Sequence, residues 1–201
     1  MLAGGQSRRM GVSKASLPFA GEPMLVRVLR VLEPIVSLRL VVAAPGQALP
    51  ELPAGVRVVR DRVPGRGPLE GLAAGLAAGQ QAGQQGAADC FYLSSCDVPL
   101  LRESFVRRMF QLLAPGDSIV VPRDDTHLHP LAGVYRADIL PVVERLLAAG
   151  RLRPTFLFEE VPTRVVEVAA LQDVDPGLLS LRNVNTPVDV DDALRTLAED
   201  A

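Results

Sequence analysis

Short apolar runs bounded by turn residues recur along the chain, separated by longer segments of helical character. The runs are typical of buried strands in a parallel sheet, and they occupy residues 38–44, 56–59, 90–95, 118–122 and 163–169. The clearest helical periodicity lies at 23–34, where Leu25, Val28, Leu29 and Leu32 share one face. Further helices are expected at 102–113, 137–148 and 187–200. This order predicts an α/β fold with a mostly parallel central sheet and helices on both faces.

Residues 72–89 are low in sequence complexity. Their first half is expected to continue a helix that begins near Leu69, and their Gln/Gly-rich second half is expected to be a surface loop. We find neither an internal repeat nor a linker that would divide the chain. A single domain over residues 1–201 is therefore expected.

The overall charge of the chain argues against two classes of binding partner. The chain has 201 residues and a formal net charge of −2, which argues against nucleic acid or a membrane surface as the partner. It has no apolar run of the ~18 residues that a membrane span needs and no signal-peptide pattern, so a cytoplasmic location is expected. The two cysteines, Cys90 and Cys96, are expected to be small buried hydrophobic residues rather than a metal site or a disulfide.

The first fourteen residues carry the strongest candidate for an anion-binding loop. Paired glycines, Gly4 and Gly5, allow close backbone approach to a phosphate, but alone they indicate only a turn. The cations Arg8, Arg9 and Lys14 follow within the same segment. Cations together with backbone N–H donors are the expected complement of a triphosphate. A solvated basic surface is the alternative interpretation.

Two aspartates come directly after predicted strands. Asp97 is expected at the carboxyl edge of the sheet, where open α/β folds bind ligands and where a carboxylate suits Mg²⁺. The alternative for Asp97 is a cap on the helix that begins near Arg102. Asp61 lies in a similar position, and Gly67 and Pro68 behind it precede a helix whose first N–H groups could face a base or a phosphate. A plain turn is the alternative for that segment.

Two short segments near the C-terminal half carry further polar candidates. His127 and His129 are two residues apart, a spacing that places both on one side of a strand as in some metal sites. No neighbouring Cys or carboxylate cluster is evident in the sequence, so a substrate-facing loop or plain exposure is favoured. Thr186 is expected to cap the closing helix, which leaves the amides of Asn183 and Asn185 free for another task.

Five stretches together resemble the molybdenum cofactor guanylyltransferases. They are, in family order, "LAGGQSRRMGVSK", "RDRVPGRGPLEG", "CDVP", "HPLAGVYR" and "NVNTPVD". The resemblance implies a three-layer, Rossmann-like nucleotide-diphospho-sugar transferase fold. It also implies Mg²⁺-dependent transfer of GMP from GTP to molybdopterin, with or without molybdenum, to give the guanine dinucleotide cofactor and pyrophosphate. Proteins of molybdoenzyme maturation are the further partners it suggests.

The resemblance also implies roles for individual residues. Lys14, Arg9 and Asp97 would be catalytic, and Asp97 would bind Mg²⁺. Asn183 and Asn185 would contact the pterin substrate. The residues that would contact the nucleotide are Leu2, Ala3, Gly4, Lys14, Asp61 and Asp97.

The chain departs from the family pattern in two places. An Asn that often contacts the nucleotide just after the second strand is absent from "VVAAPGQ", where Pro45 stands close to the expected position. In addition, a central strand of about five or six residues is expected before Leu2, which would put Met1 at an internal strand position. The alternatives to guanylyl transfer are a cytidylyl enzyme, a sugar-phosphate nucleotidyltransferase, and a non-catalytic nucleotide-binding adaptor.

Overall fold

The computed structural model describes residues 1–3, 13–82 and 89–200. Its strands are β1 Pro18–Phe19, β2 Glu22–Pro23, β3 Arg39–Ala43, β4 Val56–Arg60, β5 Cys90–Ser94, β6 Ile119–Arg123, β7 Ala132–Arg136 and β8 Thr163–Glu167. Its α-helices are α1 Met24–Leu32, α2 Gly67–Ala82, α3 Glu103–Gln111, α4 Leu140–Ala148, α5 Thr155–Glu160 and α6 Pro187–Glu199. None of the helices in this described part is both long enough and apolar enough to cross a membrane.

The central sheet is mixed. β3 pairs with β4 in parallel, and a second set of strands follows the order β5-β7-β6-β8. Within that set β6 and β8 are parallel, whereas β7 is antiparallel to both β5 and β6. The α/β class is thus confirmed, but the expected mostly parallel sheet is not. β7 follows β6 after only a short connection, which suits an antiparallel return and is too short for a helical crossover.

Helices cover both faces of this sheet. Along β3, Val41 and Ala43 belong to one core cluster, and Val42 between them belongs to the other. The first cluster includes apolar residues of α1 and α3, and the second includes those of α2, α4 and α5. Since successive strand side chains point to opposite faces, the sheet is the middle layer of three.

The predicted helices and strands match the structure within a few residues, except in the Gln/Gly-rich stretch. α2 continues through Gln80 to Ala82, so part of the Gln-rich stretch expected to be a loop is helical. Gln is a good helix former, and the Gln80 amide donates to the Ala137 carbonyl at 2.8 Å. The rest of that stretch, residues 83–88, lies outside the described residues. The sequence patterns did not predict α5 or the strands β1, β2 and β7.

Residues 1–3 join the two sets of strands. Leu2 forms parallel bridges to Val42 on one side and to Ser95 on the other. The Leu2 amide donates to the Ser94 carbonyl at 2.7 Å, and the Ala3 amide donates to the Val42 carbonyl at 2.8 Å. This short segment is therefore the tip of a central parallel strand between β3 and β5.

Beneath this tip the sheet is open. A cavity of about 320 Å³ lies between β3 and β5, and Met1, Leu40, Leu76, Phe91 and Phe110 are among its lining residues. We call it the sheet slot. It lies where the sequence predicts a strand before Leu2. The Met1 amino group is buried at its upper end and donates to the Leu40 carbonyl at 2.8 Å.

Candidate functional site

Asp97 lies just beyond β5 and is the centre of a polar cluster. One carboxylate oxygen, Oδ1, accepts hydrogen bonds from the Ser95 hydroxyl and, at 3.0 Å, from the Asn183 side-chain amide. The other, Oδ2, is 2.7 Å from the Lys14 ammonium. The Asp97 side chain is only 12% exposed. A carboxylate held on both oxygens in this way has a fixed orientation at the edge of the sheet.

Lys14 connects the N-terminal segment to this cluster. It lies in the short 3-10 turn Lys14–Ser16, and it is the only lysine in the sequence. Its ammonium donates both to Asp97 and to the side-chain oxygen of Asn185. The side chain is 22% exposed, so these contacts bury it only in part.

The two asparagines reach the cluster because the segment between them is anchored. The amide of Val184, which lies between Asn183 and Asn185, donates to the Asp97 backbone carbonyl at 2.8 Å. Val184 is buried, at 1% exposure. Behind it, Thr186 and Asp189 form a capping box at the start of α6, which fixes the entry of the chain into that helix. The structure thus brings Lys14, Asp97, Asn183 and Asn185 together.

Asp97 does not cap the helix that follows it. The N-cap position of α3 is Arg102, and no side chain caps it. The alternative interpretation of Asp97 as a cap is therefore wrong. Its partners are Lys14, Ser95 and Asn183 instead.

Asp61 lies apart from this cluster. Its amide donates to the Ala43 carbonyl at 3.0 Å, at the carboxyl end of β4. Three strand spacings separate β4 from β5, which is about 14 Å. Asp61 and Asp97 thus lie along the same edge without touching. Burial, together with the nearby negative charge of Glu70, raises the pKa of the Asp61 carboxyl above its ordinary value.

The loop between Asp61 and α2 is tied down by a buried carboxylate. Glu70 is 2% exposed and forms ion pairs with Arg62 and Arg66, at 3.3 and 3.7 Å. These two arginines flank the turn before α2, where Gly65 and Gly67 both have positive φ. These ion pairs therefore hold the loop in place along this edge of the sheet.

Of the remaining candidates, Leu2 and Ala3 are buried at the strand tip, whereas Gly4 and Arg9 lie outside the described residues. The backbone of Ala3 is contacted by Gln47, which sequence reasoning missed. The Gln47 amide nitrogen donates to the Ala3 carbonyl at 2.7 Å, and its oxygen accepts from the Ala44 amide at 3.1 Å. A side-chain amide is thus present after β3 although the expected Asn is absent. The Gln at the end of "VVAAPGQ" could have indicated this side-chain amide from the sequence.

A second cavity opens beside Asp97. It has a volume of about 170 Å³, and its lining includes Ser95, Asn183, His127 and His129. Two of these residues, Ser95 and Asn183, donate hydrogen bonds to Asp97 Oδ1. We call this cavity the side cavity. It is suited to hold part of a substrate next to the cluster.

A carboxylate lies beside the two histidines, contrary to the sequence-based view that none does. His129 Nε2 is 2.8 Å from Asp124 Oδ2, and His127 Nδ1 is 3.4 Å from Asp124 Oδ1. Hydrogen bonds from Thr126 and from the backbone of Thr126 and His127 hold the pKa of Asp124 well below its usual range. The Asp-x-x-His-x-His spacing in the sequence could have indicated this carboxylate, because a single turn brings the three side chains together.

The donor atoms of the Asp97 cluster fit a hard divalent cation. The Asp97 carboxylate and the Asn185 side-chain oxygen both contact the Lys14 ammonium, so two oxygen donors already converge on one positive charge. Oxygen donors of this kind suit Mg²⁺. The neighbouring Cys96 offers no competing thiolate, because burial raises the pKa of its thiol to about 12.

Three comparisons bear on this arrangement. Residues 1–163 match the family model described as "MobA-like NTP transferase domain". A "Probable molybdenum cofactor guanylyltransferase" of Mycobacterium avium (strain 104) is 37% identical over 201 residues, which cover 99% of this chain and 93% of that protein.

Solved structures share the fold. The molybdopterin-guanine dinucleotide biosynthesis protein A of Archaeoglobus fulgidus superposes with a TM-score of 0.76 at 19% identity, covering 98% of this chain and 97% of that one. A Mycobacterium tuberculosis H37Rv protein solved in complex with manganese superposes with a TM-score of 0.62 at 18% identity, covering 97% and 96%.

Proposed function

This chain belongs to the family of proteins with a MobA-like NTP transferase domain, and on that premise we propose that it transfers GMP from GTP to molybdopterin or its molybdenum-loaded form. In this reaction a terminal phosphate oxygen of molybdopterin attacks the α-phosphorus of GTP. The bond from that phosphorus to the β-phosphate oxygen breaks, and pyrophosphate leaves. The full-length similarity to a protein named as a molybdenum cofactor guanylyltransferase supports this choice of substrates.

The observation that carries the proposal is the polar cluster at the carboxyl edge of β5. The ammonium of Lys14 and the carboxylate of Asp97 are 2.7 Å apart there, with the side cavity alongside. Phosphoryl transfer depends mainly on positioning and on charge stabilisation rather than on a protein nucleophile. A fixed cation beside a fixed carboxylate provides both.

We assign the residues as follows. Lys14, with Arg9 of the same segment, would contact the triphosphate and stabilise the charge that develops on pyrophosphate. Asp97 would hold Mg²⁺, whose charge would neutralise the phosphates of bound GTP. Asn183, in the wall of the side cavity, and Asn185 would contact the acceptor.

The nucleotide would lie along the edge of the sheet. Leu2, Ala3 and Gly4 would line it, and Asp61 would contact it at the far end of the edge. That span of about 14 Å, three strand spacings, suits a nucleotide lying across the strand ends. We expect the reaction to take place in the cytoplasm and the product to pass to molybdoenzyme maturation proteins.

The test is pyrophosphate release by the purified chain with molybdopterin and Mg²⁺, measured in parallel with GTP, CTP, ATP and UTP. Release that requires both molybdopterin and GTP is the expected result. Lys14→Met should lower the rate about 10²–10³-fold, because it removes the charge while keeping a long, unbranched side chain. Lys14→Arg is the matched control that restores a cation.

The same assay separates the alternatives. Preference for CTP would indicate a cytidylyl enzyme, and release with a sugar phosphate in place of molybdopterin would indicate a sugar-phosphate enzyme. Tight GTP binding without turnover under every condition would contradict catalysis and favour the adaptor. Release without Mg²⁺ or Mn²⁺ would overturn the metal assignment.

A further inference from the structure

We propose that Asp124, His127 and His129 form a second metal site, selective for divalent transition metals such as Zn²⁺, at the wall of the side cavity. It is distinct from the Asp97 cluster and from the Mg²⁺ assigned there. It does not rest on the proposed guanylyl transfer, since the argument uses only the geometry of these three side chains.

The donor atoms are already close to the spacing that a metal imposes. One candidate ligand atom from each residue can be chosen so that all three lie within 4.8 Å of one another. His129 Nε2 and Asp124 Oδ2 are 2.8 Å apart, and His127 Nδ1 and Asp124 Oδ1 are 3.4 Å apart. Ligands at ~2.0–2.2 Å from a tetrahedral Zn²⁺ are separated by roughly 3.4 Å. Binding thus needs only small side-chain adjustments.

The local backbone holds the carboxylate in place. Asp124 Oδ1 accepts hydrogen bonds from the backbone amides of Thr126 and His127 at 2.7 and 2.8 Å. The turn is closed by the Asp124 amide, which donates to the His127 carbonyl at 3.1 Å. A metal would replace the present contact of the Thr126 hydroxyl with His127 Nδ1. The cost is small, because that hydroxyl is exposed and can turn to water.

The donor types favour a transition metal over Mg²⁺. The two imidazole nitrogens are borderline donors that suit Zn²⁺, Co²⁺ and Ni²⁺, and Zn²⁺ also takes a carboxylate oxygen, whereas Mg²⁺ prefers oxygen alone. Three protein ligands leave at least one coordination position open, as in exchangeable zinc sites.

The proposed metal site lies at the wall of the side cavity, where its metal can contact a bound molecule. His127 and His129 both line the side cavity, whose other walls carry Ser95 and Asn183 of the Asp97 cluster. A metal held by the two imidazoles could therefore accept water, or a phosphate or thiolate donor of a molecule in the cavity, at its open position.

The sequence makes the test sharp, because His127 and His129 are the only two histidines in the chain. We would follow the two histidine ring signals by NMR while titrating the full chain with Zn²⁺ and, separately, with Mg²⁺. One equivalent of Zn²⁺ should shift both signals, and the same concentration of Mg²⁺ should shift neither. Calorimetry should give one zinc per chain.

Variants decide whether these residues are the ligands. His127→Gln and Asp124→Asn should each lower the zinc affinity at least about tenfold, since changes even behind a metal ligand cost that much. Asp125→Asn, the exposed neighbouring acid, is the matched control and should leave the affinity unchanged. Thermal unfolding without metal should confirm that all three variants fold.

The proposal fails if neither histidine signal shifts, or if the zinc affinity is the same in His127→Gln and in the parent chain. It also fails if zinc binding disappears in Cys90→Ser and persists in His127→Gln, because the metal would then be held by the half-buried thiol. A Co²⁺ complex with visible d–d bands but no thiolate charge-transfer band would support the assigned ligands.

Discussion

The two ends of the segment formed by residues 1–3 differ sharply. Above it, at the Asp97 cluster, each carboxylate oxygen has a side-chain donor and Lys14 spans two acceptors. Below it, at the sheet slot, apolar side chains of both layers surround a cavity of about 320 Å³ between two strands. The first region is ordered by charge and hydrogen bonds, and the second is an open space lined mainly by apolar side chains.

The two regions of the sheet therefore have different roles: the Asp97 cluster serves the proposed chemistry, and the sheet slot affects stability. The cluster is held by residues that come from three distant parts of the chain, so it depends on the fold without contributing much apolar burial. The slot lies in the middle of the apolar core, where each missing contact costs free energy of unfolding. We therefore expect changes in the two regions to have separable effects.

The largest expected effect is on turnover, from Asp97→Asn. The substitution keeps the shape of the side chain and removes the charge, so pyrophosphate release should fall about 10²–10³-fold. The free energy of unfolding should fall by about 1.5–3 kcal/mol, the contribution of the one charge-assisted hydrogen bond to Lys14, because the amide oxygen can still accept from Ser95 and Asn183. Both quantities can be measured on one preparation, with Asp191→Asn on α6 as the control. Loss of folding in Asp97→Asn would contradict the separation.

Filling the sheet slot should change the stability of the protein rather than its turnover. Since Leu2 lies beside Val42 and Ser95, four residues added before Met1 would lie beside residues 37–40 and 90–93. Four apolar β-branched residues there should raise the free energy of unfolding by about 2–4 kcal/mol, as burial of their side chains exceeds the entropy lost. Chemical denaturation measures this directly.

The matched control for that extension has the same length and consists of glycine and serine. It should give little or no stabilisation, because it brings no apolar surface into the slot. Equal stabilisation by both extensions would show that the slot does not accept a strand.

The buried amino terminus predicts a pH dependence. Burial lowers the pKa of the Met1 amino group from 8.0 to about 5, so between these values the unfolded chain binds more protons than the folded one. Stability should therefore rise from pH 5 to pH 8, by about 4 kcal/mol at most. In the apolar extension an amide replaces the amine, and this part of the pH dependence should vanish. A pH profile shared by both proteins would contradict the assignment.

A smaller effect is expected where α2 approaches the tip of the strand. A Cβ atom added to Gly71 would lie 2.8 Å from a Leu2 methyl carbon. The end of the Leu2 side chain can shift, so Gly71→Ala should destabilise the protein by at most about 1 kcal/mol. One turn later, a Cβ at Gly75 would lie 3.6 Å from Val42, an ordinary contact. Gly75→Ala should instead stabilise by up to about 1 kcal/mol through helix propensity. Thermal unfolding of the pair checks both signs.

The smallest expected effect concerns Gln47, which touches the backbone above the slot and beside the cluster. Gln47→Ala removes two hydrogen bonds to Ala3 and Ala44. We expect the KM for the nucleotide to rise about 3- to 10-fold, equivalent to about 1 kcal/mol, with kcat unchanged. A fall in kcat alone would place Gln47 in the chemical step instead.

The sequence allowed the strands and most helices to be predicted because their apolar patterns are local. It also allowed Asp97, Lys14, Asn183 and Asn185 to be singled out, since each stands in a short motif. Their convergence was not derivable from spacing, because it depends on how β5, the 3-10 turn at Lys14 and the start of α6 meet. Asp124 was missed for a related reason, as a turn and not a strand brings it back to the histidines. β7 was missed because its five residues, "AGVYR", contain neither an apolar run nor an alternation long enough to indicate a strand.

Lys14 gives the polar cluster a residue that can be labelled chemically. Because Lys14 is the only lysine and the Met1 amine is buried, an amine-selective reagent has one accessible target among the described residues, and that target touches Asp97. Acylation or reductive methylation would report on this one atom. Protection of Lys14 by a bound ligand would then map occupancy of the cluster without any mutation.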